Sequence, residues 1–168
     1  MMIAGRPLSN ATSGQAAAEI ALVFPLMLVL MFGSVELGHY FYQEHIVVDA
    51  VRDGARFAAR QSLDDLNCTG VDADVETSVK RATRLISPNA DDTAENRRIG
   101  NWDSDDTVDV IVTCSDNEGF TGLYANMTEL PRVRVEATVP YNSLFSYLGF
   151  GNLNLNIAAA SEAASVGS

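Results

Sequence analysis

The stretch from Gly14 to Val35 constrains this chain more than any other. Gln15-Ala16-Ala17-Ala18-Glu19 leads into Ile20-Ala21-Leu22-Val23-Phe24-Pro25-Leu26, and the run stays apolar as far as Val35. Glu19 is the fifth residue beyond Gly14 and the only ionisable group between Ala16 and Val35. At about 1.5 Å per residue, Ala16 to Val35 makes roughly 30 Å of helix, the hydrocarbon thickness of a bilayer. Pro25 would break a soluble helix, whereas a membrane span tolerates it because neighbouring groups satisfy the freed carbonyl. A secretory signal peptide is the competing reading. Against it, the apolar run is longer than a signal core, and no small-x-small cleavage site follows Val35. A retained membrane span is expected. A carboxylate in such surroundings takes a proton or finds a cation.

Charge sets the orientation. Arg6 is the only basic side chain before the span, and the flank beyond it has no Lys or Arg until Arg52. The positive-inside rule therefore keeps the amino terminus cytoplasmic and puts the bulk of the chain outside. With 11 basic against 22 acidic residues the net charge is −11, which argues against a nucleic-acid partner. Cys68 and Cys114 suit one disulfide in an oxidising compartment. Such a bond would close a loop of about 47 residues and stabilise by roughly 4 kcal/mol, less any strain.

Beyond the span the helix continues. Tyr40, Phe41 and Tyr42 lie where interfacial aromatic residues are enriched. Val47, Ala50, Val51, Gly54, Phe57 and Ala58 then recur at helical spacing as one apolar stripe. Arg52, Arg56 and Arg60 form a second stripe, with Asp49 and Asp53 placed for i, i+3 pairing. That second stripe is either a solvated face or a surface for an acidic neighbouring subunit. Helical throughout, Gln15 to Arg60 would measure roughly 70 Å.

Three blocks now carry a resemblance. Ala18-Glu19-Ile20-Ala21-Leu22-Val23-Phe24-Pro25-Leu26, then Val35-Glu36-Leu37-Gly38, then Asp49-Ala50-Val51-Arg52-Asp53-Gly54-Ala55-Arg56-Phe57-Ala58-Ala59 resemble the TadE-like family of pseudopilins in order and spacing. The motif positions are Pro25, Glu36, Gly38, Arg52, Gly54 and Arg56; His39 departs from the basic residue more usual there. The resemblance implies a part in the tight-adherence (Flp) pilus machinery of bacteria. It also implies cleavage by a prepilin peptidase between Gly14 and Gln15, and a role for Glu19 in subunit assembly. The implied partners are other pilins or pseudopilins, the assembly machinery, the peptidase and the inner membrane. No cofactor is implied.

The last hundred residues read as an α+β domain. Val71 to Ser87 has the spacing of an amphipathic helix, stopped by Ser87-Pro88-Asn89. Asn89 to Asp106 is Asp-rich and reads as a surface loop; Asp103-Ser104-Asp105-Asp106 lacks the glycine and glutamate that an EF-hand calcium loop requires. Three strands follow by alternation: Val108, Val110, Val112 and Cys114; Val133, Val135, Ala137 and Val139; Leu153, Leu155, Ile157 and Ala159. Each has one wet face, as in an antiparallel sheet packed on helices. The apolar link Tyr141 to Gly151 is either a short helix over the core or an exposed contact patch.

The expected organisation is a leader, 1–14; a transmembrane and extended helix, 15–60; and an extracytoplasmic domain, 61–168, with its amphipathic helix on a three-stranded antiparallel sheet. No catalytic constellation emerges: His39 and His45 fall on opposite sides of a helix, and there is no phosphate loop, nucleophile elbow or repeated Cys-x-x-Cys. A non-enzymatic pilus component is expected. The alternative is a bitopic anchor whose outer domain binds an envelope partner or ligand, with Gly14 left uncut.

Overall fold

The computed structural model describes residues 11–119, 121, 122, 125, 127–148 and 155–166. Helix α1 runs from Ala11 to Ala58, with Pro25 inside it. A two-stranded hairpin follows, β1 (Leu66–Asn67) against β2 (Gly70–Val71), then helix α2 (Ala73–Arg84). A three-residue 3-10 turn, Asp105–Thr107, leads into β3 (Val108–Asp116), β4 (Glu129–Pro140) and β5 (Asn156–Ala164), with a 3-10 helix at Leu144–Leu148 between the last two. The three long strands form an antiparallel sheet in the order β3-β4-β5, so the α+β class stands. The chain divides into two compact units, Met1–His39 and Tyr40–Ser168.

In the second unit, one stripe of α1 is dry: Val47, Ala50, Val51, Ala55 and Ala58. It packs into one core with Leu66, Val79, Trp102, Val108, Ile157 and the inward side chains of β4, which are Val133, Val135, Ala137 and Val139. Every second β4 residue points the other way, and there Arg134 bonds Glu136 beside it and reaches Glu162 on β5 at 3.0 Å. Cys68 lies in the β1–β2 turn and is bonded to Cys114 of β3, with the two Cα atoms 5.8 Å apart. The bond fastens the hairpin to the sheet.

Several boundaries differ from the sequence reading, each for a local reason. α1 is already helical at Ala11, so Gly14 does not mark its start. α2 begins two residues later than expected because Asp72 caps it, accepting a hydrogen bond from the Asp74 N–H at 2.9 Å, while Val71 pairs with Leu66 in the hairpin. It ends at Arg84 because the chain turns extended: Leu85 bridges Arg97, and Ile86 donates its N–H to Asn96 O at 2.8 Å. Leu85 is thereby buried and Ile86 exposed, the reverse of what a continued helix would do. The third strand starts at Asn156, several residues late; Ile157 is inward as expected, but Leu155, expected on the same face, precedes the strand and is exposed, and Leu153 lies outside the described residues.

The Asp-rich segment is more than a surface loop, since it delivers Ile99 and Trp102 to the core. Trp102 donates its indole N–H to Thr107 Oγ1 at 2.6 Å. What organises the loop is Arg84, a buried guanidinium that bonds Asp92 at 2.5 Å, Asp105 at 2.6 Å and Trp102 O at 2.9 Å. Asp92 also takes a bond from Arg97 at 2.7 Å. The hydrogen bond from Arg84, followed by the one from Arg97, holds the Asp92 carboxyl at about 2, below the ordinary 3.8.

Two predictions follow from this packing. A Cβ built on Gly54 would stand 2.0 Å from Thr83 Oγ1, and that hydroxyl is pinned to Val79 O at 2.8 Å. Gly54→Ala should therefore destabilise the full chain in detergent by about 1–3 kcal/mol, read from chemical unfolding, and adding Thr83→Ala should recover most of the loss. For Asp92 the folded value is depressed, so its contribution is complete above the unfolded value near 3.8 and is lost as pH falls towards about 2. The unfolding midpoint of Asp92→Asn should accordingly vary less between pH 4 and pH 2 than that of the parent chain.

Candidate functional site on the amino-terminal helix

In the first unit, the helix from Gly14 to Val35 is exposed on all sides except at half-buried Leu28. Leu22, Phe24, Leu26, Met27, Val29 and Leu30 each leave more than half of their surface uncovered. Ser34 donates its hydroxyl to Met31 O at 2.8 Å, keeping its polar group within the helix. In water, apolar exposure of this extent costs about 25 cal/mol for each Å² left uncovered. This is the one helix among the described residues long and apolar enough to cross a membrane, and it suits a single-pass anchor.

Glu19 sits near the start of that run. Its carboxylate accepts a hydrogen bond from the Gln15 side-chain amide at 3.2 Å, one turn earlier. Both residues are exposed, as is Gly14, which has open space where a side chain would be. The structure thus brings Gln15 and Glu19 together on one helix face. Gly38 is likewise open, and Glu36 is half-buried.

The arginine block belongs to the second unit. Arg52 pairs with Asp49 at 2.9 Å and Arg56 with Asp53 at 3.8 Å, the i, i+3 pairs expected from the sequence. Asp53 is also reached by Arg98 at 3.0 Å, from the loop after α2. Arg52 and Arg56 on α1 and Arg60 just beyond it are exposed, and their surface pairs contribute at most about 1 kcal/mol each. Gly54, between them, is buried against Thr83. Its place in the motif is explained by close approach of α1 to α2, which no spacing in the sequence revealed.

Sequence reasoning also missed Arg84 and its two aspartates. The available signal was a helix ending in arginine, followed by a loop holding several carboxylates, and it gives the pairing only once the chain is folded. Cys68, Cys114 and Glu129 cluster tightly enough for a metal ion. The two sulfurs are bonded to each other, however, and a disulfide presents no thiolate to a metal.

Residues 14–56, about a quarter of the chain, match the sequence profile of the family described as TadE-like protein. The match takes in the first two blocks whole and the third as far as Arg56. No curated protein and no solved structure gives a match to this chain.

Proposed function

We propose that this chain is a pseudopilin, or minor pilin, that takes part in assembling a bacterial tight-adherence pilus. The observation that carries the reading is the extent of the TadE-like match. It opens at Gly14 and closes at Arg56, taking in the glycine, Glu19, the whole apolar run and the arginine block as one segment. That family ties the chain to a pilus system and to a structural role.

The finer steps follow from the chemistry of the segment. A prepilin peptidase cuts between Gly14 and Gln15, where both residues are exposed and nothing packs on the glycine. The bond lies in the first described turn of α1, so the peptidase has to unwind that turn. Glycine makes unwinding cheap, since it costs a helix about 1 kcal/mol relative to alanine. Cleavage removes Arg6 and leaves a new amine on Gln15. With no Lys or Arg in the span, that amine on a neighbouring subunit is the cation Glu19 meets. The pair fixes the axial register of one subunit on the next. The anchor lies in the inner membrane with its amino terminus cytoplasmic and its outer domain periplasmic. The positive leader supports that orientation, and the Cys68–Cys114 bond fits an oxidising compartment.

Two experiments test the proposal. Mass spectrometry of the mature protein should find an amino-terminal peptide beginning at Gln15 in wild-type cells and an uncut leader in cells lacking the peptidase. An intact leader in both strains would leave only a simple anchor. Glu19→Gln should be cleaved, inserted and folded at wild-type levels, yet assemble pili poorly. Normal piliation in that strain would remove the assembly role from Glu19.

A further inference from the structure

β5 is an edge strand of the three-stranded sheet, and its pairing with β4 decides which of its backbone groups point outward. Just beyond one end of that ladder Ser165 donates its N–H to Pro131 O at 3.2 Å, and just beyond the other Tyr141 donates its N–H to Leu155 O at 2.8 Å. Directly bonded pairs alternate with unbonded ones in an antiparallel ladder. Both ends therefore give the odd-numbered β5 residues to β4 and turn the N–H and C=O of Asn156, Ala158, Ala160, Glu162 and Ala164 away from it. All five residues are exposed, and none has a backbone hydrogen bond on that side among the described residues.

Bare strand edges are normally guarded by proline, lysine or a bulge. From Asn156 to Ala164 there is no Pro and no Lys, and the register with β4 runs unbroken from the Pro140–Asn156 pair to the Arg132–Ala164 pair. Glu162 is the only charge on the strand, and Arg134 of β4 holds its carboxylate at 3.0 Å. On the outer face of the sheet, alongside this edge, lies a shallow depression of about 260 Å³ lined by Arg134, Glu136 and Thr138 of β4 and by Ala158 and Ala160 of β5. On the same face Arg132 is exposed, sits opposite Ala164 in the register and has no ion-pair partner among the described residues.

We infer that this edge receives an extended segment of another protein, which adds to β5 as a fourth strand. Added strands draw affinity from main-chain hydrogen bonds and specificity from pockets for alternate side chains, and this edge offers both. The new strand runs past alanine at three of the five outward positions, so its own side chains have room over Ala158 and Ala160. Over Ala164 it carries a carboxylate. Strands lie about 4.8 Å apart, which puts that carboxylate within reach of the Arg132 guanidinium across the small alanine. A second copy of this chain would bring its net charge of −11 against the same charge, and that repulsion favours a different partner. Only residues of the second unit take part.

The test measures the fluorescence anisotropy of two labelled peptides, each about nine residues long to match β5, added to the full chain in detergent. Each has valine at the two positions over Ala158 and Ala160, threonine elsewhere, and a glutamate at one end. The glutamate stands first in one peptide and last in the other, so that either strand direction places it over Ala164. One of the two should bind saturably, and exchanging its glutamate for lysine should weaken binding about five- to tenfold. With Arg132→Glu the preference should invert. Methylating the alternate set of peptide amide nitrogens that faces β5 should abolish binding, and methylating the other set should not. Ala160→Pro removes an N–H that β4 does not use and should also abolish binding, with the unfolding midpoint checking that the chain is folded. If that variant does not fold, the methylated peptides decide the same point with the protein unaltered. No saturable binding by either peptide up to about 1 mM, equal binding by both methylated forms, or indifference to the charge exchange would each overturn the proposal. So would a dimer of the chain, formed without peptide and dissolved by Ala160→Pro, because a second copy would then hold the edge.

Discussion

One face of α1 between Val47 and Ala58 is excluded from water, and the rest of the second unit is arranged to cover it. The β4 side chains of one parity supply the largest share of the cover from any one element, and Trp102 and Leu66 are brought in from loop and hairpin. α2 comes close enough that a single methyl on Gly54 would collide with Thr83. A helix as short as α2, with 12 residues, has little stability of its own outside such packing. The domain is therefore built on the last turns of α1, and the connections beyond them are shaped by what that face requires.

The Asp-rich loop shows how polar sequence is recruited to the same end. Ile99 and Trp102 are held in the core by a segment that is otherwise mostly polar and rich in aspartate and asparagine. Their anchor is Arg84, whose planar fork takes two carboxylates and a carbonyl at once. A buried guanidinium is costly unless its donors are met, and here Asp92, Asp105 and the Trp102 carbonyl meet them. The acidity that looks like simple solvation in the sequence is partly the counter-charge for one arginine.

What was legible in the sequence follows from period. The apolar run, the α1 stripe and the two-residue alternation of β3 and β4 each repeat over enough residues to read, and the structure keeps their phase. Short and non-local features were not legible. Whether Val71 joins a helix or a two-residue hairpin is decided by Asp72 as a cap and by Leu66 across the turn. Whether Leu85 or Ile86 turns inward is decided by a bridge to Arg97. At the amino-terminal site, the Gln15–Glu19 contact follows from helical spacing, whereas the reason for Gly54 required the fold of α2 against α1.

The two ends of α1 show that apolarity alone does not make a core. Towards the amino terminus the apolar residues are large, with Leu22, Phe24, Met27 and Leu30 exposed. Towards the carboxyl terminus the buried positions are small, with Ala50, Gly54, Ala55 and Ala58 beside two valines. A helix packed against a sheet and a second helix gains by close approach, and small side chains permit it. A helix facing hydrocarbon has no such partner surface to match, and bulk costs it nothing. The change in residue size along one continuous helix is thus the sequence record of a change in solvent. It falls between Val35 and Val47, where Tyr40, Phe41 and Tyr42 place rings that tolerate both.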